Sequence, residues 1–274
     1  MSDGVTWRVP GRIEVLGKHT DYAGGRVLVC AVERGVTVAA IPGGSGIVAR
    51  TDAFPGELEV ASAAALPPGH WGRYVATVVD RLTVNLGPLA PCSLTISSDL
   101  PPASGMSSSS ALLCGTALAL ADLNGFAGSE AWRRACPDRL ALAGYLATVE
   151  NGRSWGDLAG ALGVGTLGGS EDHTAMLCGR AGELTLAEFD PLRLLDAVPL
   201  ASDVTFVVAV SGVLAEKTGA ARELYNRASL ATASVLTSWN ETTGRRDASL
   251  AGAARALVGD VAGPVDPHDP ALDP

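Results

Sequence analysis

The spacing of apolar positions divides the chain into strand-like and helix-like stretches. Residues 27–41 carry Val27, Val29, Val32, Val36, Val38 and Ile41, a β-branched extended reading with a break near Arg34-Gly35. Shorter strands are predicted at 13–16, 57–60, 92–96 and 184–189. Positions 75, 78, 79, 82 and 86 line one face of a predicted helix over 73–86, and the Ala/Leu-rich stretch 111–123 predicts another. A third helix is predicted at 137–149, with Pro137 in its first turn, and a long one at 216–239. The near-continuous apolar run 204–210 reads as a buried strand, and 174–178 as a short apolar piece. Glycine- and serine-rich loops fill 17–25, 97–110 and 151–170, with a turn at 42–46 and a loop at 66–72. The Pro/Asp-rich stretch 263–274 cannot build a core and reads as a tail.

Composition narrows the class. The chain has 274 residues, 47% apolar and 18% charged, which is globular and long enough for one large domain or two small ones. The net charge of −9 argues against a nucleic-acid partner, because phosphate contacts need clustered Lys and Arg. An anionic ligand would need a local donor cluster or a metal ion. Five cysteines without a Cys-x-x-Cys predict buried free thiols. The N-terminus lacks an apolar signal core and no apolar run reaches about 18 residues, so neither a membrane partner nor export is expected and the predicted compartment is the cytoplasm.

Three segments carry candidate chemistry. In the first, a predicted strand delivers Gly17-Lys18-His19-Thr20-Asp21-Tyr22 into a loop. A cation, an imidazole and a carboxylate bounded by glycines suit a small polyhydroxylated ligand, although His-Thr-Asp alone would read as an ordinary capped turn. The second is Pro101-Pro102-Ala103-Ser104-Gly105-Met106-Ser107-Ser108-Ser109-Ser110, between a predicted strand and a predicted helix. Gly105 allows close backbone approach, and the serines occupy a helix N-terminus whose free N–H groups and dipole favour an anion. It is a phosphate cradle without a Walker lysine; the plainer alternative is a serine-rich helix cap. The third is Glu150 followed by the glycine-rich 163–169 and Glu171-Asp172-His173. Its Gly-x-Gly-x-x-Gly lacks a flanking strand and helix, so a dinucleotide fold is rejected. Glu150 can hold a metal and Asp172 can act as a base.

Together these segments resemble the galactokinase branch of the GHMP kinases, which include homoserine, mevalonate and phosphomevalonate kinases. The family signature Gly-Arg-x-Asn-hydrophobic-hydrophobic-Gly-Glu-His-Thr-Asp-Tyr is met by Gly11-Arg12-Ile13-Glu14-Val15-Leu16-Gly17-Lys18-His19-Thr20-Asp21-Tyr22. The motif Pro-x-x-x-Gly-Leu-Ser-Ser-Ser-Ala is met by residues 101–110, with Met106 for Leu and Ser110 for Ala. Order and spacing agree over roughly the first 230 residues.

The resemblance implies an ATP- and Mg²⁺-dependent kinase acting on the anomeric hydroxyl of galactose or a related monosaccharide. Asp172 resembles the catalytic aspartate and Arg12 the arginine that pairs with it and meets the phosphoryl group. His19, Asp21 and Lys18 fall at sugar-binding positions, and Tyr225 resembles a sugar-contacting tyrosine. Pro101, Gly105, Met106, Ser107, Ser108 and Ser109 belong to the ATP loop; Ser109 and Glu150 resemble the magnesium ligands. The implied fold is α+β in two domains: a ribosomal-S5-like unit over 1–200 and a partial ferredoxin-like unit over 201–262. The run 204–210 would then be a core strand with a missing neighbour, an edge that invites aggregation.

Three departures accompany the match. Lys18 replaces the family glutamate that meets the sugar's exocyclic hydroxyl, which opens the site to an acceptor bearing a carboxylate or phosphate. Glu14 replaces asparagine, and after Ala201 no glycine cluster supplies the family's third motif, so the chain reads as C-terminally short. The alternatives are a non-catalytic sugar- and nucleotide-binding relative, and a kinase for another small alcohol.

Overall fold

The computed structural model describes residues 4–101, 104–210 and 219–258. Its centre is the long strand β2 (Arg26–Pro42), which pairs antiparallel along one edge with β1 (Val5–Leu16). On its other edge β2 changes partner. Residues 26–29 pair with β6 (Glu183–Phe189) and 36–42 with β5 (Cys92–Ser98). The break predicted near Arg34-Gly35 is therefore a change of partner within an unbroken strand, with a β1–β2 register shift beside it. β3 (Ile47–Thr51) runs parallel to β5 and antiparallel to β4 (Phe54–Glu59), while β7 (Leu192–Pro199) closes the far side against β6. The sheet thus has seven strands, in the order β4-β3-β5-β2-β6-β7 with β1 on β2.

Helices α1 (Gly72–Leu86), α2 (Ser108–Leu123), α3 (Glu130–Ala135), α4 (Arg139–Asn151) and α5 (Glu171–Cys178) give an α+β layering. α2 packs on β1 and β2 and is itself packed by α1 and α4. α2 has apolar or small residues almost all round because it is enclosed, with Leu113, Ala117 and Leu120 buried in the main core against Val9, Val38 and Leu94. Pro137 precedes α4 rather than opening it; the cap is Asp138, whose Oδ1 accepts from Ala141 N at 2.8 Å. The buried Arg81 of α1 joins α4 by donating to Thr148 Oγ1 at 3.1 Å and Arg153 O at 2.8 Å. Cys30, Cys92, Cys114 and Cys136 are buried free thiols as expected; Cys178 is only partly buried.

The chain beyond β7 departs from expectation. Residues 204–210 form no strand, and Val204, Phe206, Val207, Val208 and Val210 are exposed, Val207 to 89%. No neighbouring strand among the described residues takes up their backbone groups, so hydrophobicity alone does not bury them. Helices α6 (Gly219–Thr243) and α7 (Leu250–Val258) follow. α7 is fixed to the sheet through Arg255, whose Nη1 lies 3.0 Å from the buried Glu188 carboxylate, which also holds Arg26 and Arg193. The start of the predicted 216–239 helix and the predicted tail 263–274 lie outside the described residues. Among the described residues no helix is long and apolar enough to cross a membrane.

Candidate active site

The three sequence segments converge. Arg12 lies midway along β1, where the strand passes the loop before α2, and its backbone N–H donates to Met106 O at 3.2 Å. Its Nε and Nη2 lie 2.6 Å from Asp172 Oδ1, while Nη1 donates to Gly105 O at 2.6 Å. One planar guanidinium thus links the first turn of α5 to the serine-rich loop, a fork that a lysine cannot reproduce. Burial opposes its charge, but Asp172 and Glu171 outweigh that and hold Arg12 above its ordinary value. Asp172 sits in the first turn of α5, where the helix dipole favours a carboxylate.

Behind this pair lies a hydrogen-bonded carboxyl cluster. Ser110 Oγ is 2.9 Å from Glu150 Oε2 and 3.3 Å from Asp172 Oδ2. Thr166 Oγ1 lies 3.5 Å from Glu150 Oε1, and the buried His173 brings Nε2 to 3.2 Å from Glu150 Oε2, a close approach without hydrogen-bond alignment. Glu171 is buried with Oε1 3.6 Å from Arg12 Nε. Burial, and then Asp172 and Asp21, push Glu171 up to about 9, so it is protonated at neutral pH. Burial also raises Asp21.

The polar loop after β1 closes the other wall. Asp21 accepts from Glu171 N at 3.4 Å, and Gly169 must be glycine because a Cβ there would strike the Asp21 carboxylate. His19 lies 5.8 Å from the rings of both Tyr22 and Tyr225. Burial holds the Tyr225 hydroxyl far above its ordinary value, aided by Asp21 and Asp172, so it is a neutral donor. Tyr225 comes from α6, which is docked by Asn226: Oδ1 accepts from Leu167 N and Nδ2 donates to Gly165 O, each at 2.9 Å. Two non-glycine residues in these loops, His19 (φ 64°) and Ser107 (φ 56°), adopt left-handed backbone, strain of the kind found at ligand sites.

Arg12, Lys18, His19, Asp21, Glu150, Asp172 and Tyr225 line one cavity. The serine loop reaches it through Gly105 O and Ser110. Met106 turns its side chain into the core, Pro101 is partly buried, Ser107 is buried at the helix cap and Ser108 is exposed. Ser110, rather than the expected Ser109, meets Glu150; the Ser109 hydroxyl bonds Tyr74. Glu171 and His173 stand in the third sequence segment and Glu14 among the departures from the signature, but sequence reasoning gave none of them, nor Asn226, a role in the cavity. The available signal was a carboxylate and an imidazole flanking Asp172, a charged triplet inside a glycine-bounded, otherwise apolar stretch.

Comparison with known proteins agrees with this geometry. A galactokinase galactose-binding signature matches residues 2–42 and the GHMP kinases N terminal domain matches 73–165. The chain is 33% identical to a galactokinase of Thermotoga maritima over 119 residues, 43% of this chain and 33% of that protein. It is 32% identical to a galactokinase of Streptomyces coelicolor over 180 residues, 64% of this chain and 42% of that protein. The fold superimposes on the crystal structure of Lactococcus lactis galactokinase complexed with galactose with a TM-score of 0.66 at 22% identity, covering 94% of this chain and 64% of that one. The matched stretches thus span less than half of these curated relatives. Both family models fall on segments that build the cavity, and the chain is galactokinase-like, carrying a galactokinase galactose-binding signature and a GHMP kinases N terminal domain.

Proposed function

We propose that this chain transfers the terminal phosphoryl group of ATP to the anomeric (C1) hydroxyl of galactose or a related monosaccharide. The observation that carries the proposal is the Arg12 fork, which holds the Asp172 carboxylate on one side and the Gly105 carbonyl of the serine loop on the other. A sugar hydroxyl at Asp172 and a phosphate at the loop would meet at Arg12. Phosphoryl transfer needs positioning and charge neutralisation more than covalent help. In this reading Asp172 orients the acceptor hydroxyl and takes its proton late, and Arg12 stabilises charge developing on the transferred group. Asp21, His19 and Tyr225 hold the sugar hydroxyls, and the N-terminus of α2 faces the phosphates.

The donor set also fits magnesium, a hard cation that takes one or two carboxylates together with substrate phosphates. The Ser110 hydroxyl lies within hydrogen-bond distance of both the Glu150 and the Asp172 carboxylates, and these three groups would hold the ion. Bound there, magnesium would neutralise phosphate charge.

A sugar panel assayed for ADP release, with phosphorus NMR of the product, tests the proposal. Turnover with a galactose-like sugar and a C1 phosphate is the expected result; no turnover from a folded sample contradicts it. The exposed 204–210 run favours one second reading, a relative that binds sugar and nucleotide without turnover. Calorimetric binding in the absence of ADP release would establish that reading.

A further inference from the structure

We infer that Glu14, and not Lys18, reads the acceptor, and that the acceptor is an uncharged polyhydroxylated sugar rather than a sugar acid or sugar phosphate. This rests on the kinase function proposed above. Glu14 and Lys18 are four residues apart at the end of β1, with Lys18 Nζ 3.5 Å from Glu14 Oε2. Both line the cavity, but unequally. The Glu14 side chain is 13% exposed and that of Lys18 is 71% exposed. The carboxylate is therefore in the wall and the ammonium at the solvent-facing mouth. A carboxylate has about four acceptor positions and Lys18 satisfies one, so Glu14 keeps capacity for ligand hydroxyls in a place where water is largely excluded.

Charge balance points the same way. Leaving Glu171 aside, the cavity wall carries the carboxyl groups of Glu14, Asp21, Glu150 and Asp172. Of its two permanent cations, Arg12 is engaged by Asp172 and Gly105, and Lys18 faces Glu14. An acceptor with an anionic exocyclic group would add like charge to an acidic wall without a free cation to meet it, whereas hydroxyls bring the donors that carboxylates need. The two departures from the family signature at positions 14 and 18 are thus one coupled change. The preference for an anionic acceptor that Lys18 implies in isolation does not follow once its partner is in view.

The test is calorimetry on the full chain with a non-hydrolysable ATP analogue present, titrating galactose, galacturonate and galactose 6-phosphate. The expected result is binding of galactose and of neither anion. Glu14→Gln should weaken galactose binding at least tenfold and Lys18→Met less than threefold, with affinity for the ATP analogue reporting that each variant is folded. Tighter binding of either anion, abolished by Lys18→Met, would overturn the inference and leave the kinase function standing. Galactose binding indifferent to Glu14→Gln would do the same. A folded chain that binds none of the three would overturn both.

Discussion

The sheet region up to Pro199 and the stretch beyond it use the same apolar residue types to opposite ends. Val9, Val36, Val38, Leu94 and Leu120 are buried between the sheet and its helices, whereas Val204, Val207, Val208 and Val210 face solvent. Burial follows from having a partner surface, and the 204–210 run has no partner strand among the described residues. The chemistry is divided just as unevenly. Arg12, Glu150 and Asp172 come from the sheet region, and α6 adds Tyr225 and the Asn226 clamp. In the proposed function the sheet region alone builds the reacting site, and the second stretch completes the sugar wall.

Substitutions that weigh one region against the other sharpen this contrast. Leu120→Ala in α2 should lower stability by about 3 kcal/mol through the cavity it leaves. Val207→Ser should change stability by no more than about 0.5 kcal/mol and should raise the concentration at which the chain stays monomeric. Urea denaturation and light scattering measure the two effects, and comparable losses of stability would erase the distinction. Arg12→Lys, which removes the fork but keeps the charge, should lower sugar-dependent kcat by about 10²-fold, read from steady-state kinetics.

Titration offers a different test. Burial and then the neighbouring carboxylates Asp172 and Asp21 push Glu171 up to about 9, against an ordinary 4.5. The folded chain therefore keeps a proton that the unfolded chain releases between those values, so the Glu171 contribution makes stability fall as pH rises through that window. Glu171→Gln should flatten the decline, measured as Tm from pH 5 to pH 9. A parallel decline in the variant would place the cause elsewhere. The smallest effect on activity is expected from the second region. Asn226→Ala frees α6 from the glycine-rich loop and should raise the sugar KM about fivefold, the equivalent of one hydrogen bond of about 1 kcal/mol, with kcat little changed.

Sequence reasoning located β2, β5 and β6, each buried on at least one face, together with the end of β1 and part of β4, although β4 is almost wholly exposed. β2 was legible within one residue at each end because its β-branched positions point into the core. β3 and β7 were not. β7 is an edge strand whose side chains are mostly exposed, so no alternation marks it. The run 204–210 failed in the other direction, since a hydrophobic string predicts a strand without saying whether a neighbour exists to pair with it. The site was legible where contiguous motifs carried it, as with Arg12, Asp21 and Asp172. It was not legible where function depends on register: the position of Ser110, not Ser109, next to Glu150 is set by the orientation of α2, and the engagement of Lys18 by Glu14 is set by the end of β1. No spacing rule reports either.

The most direct measurement is sugar-dependent ADP release by Asp172→Asn beside the unaltered chain, with galactose binding followed calorimetrically in both. The substitution keeps the size and polarity of the side chain and removes the charge that Arg12 faces. Loss of turnover by at least 10²-fold, with galactose still bound, is the expected result. Undiminished ADP release in the variant would contradict the assignment of Asp172, and with it the reading of the Arg12 fork as the point where sugar and phosphate meet.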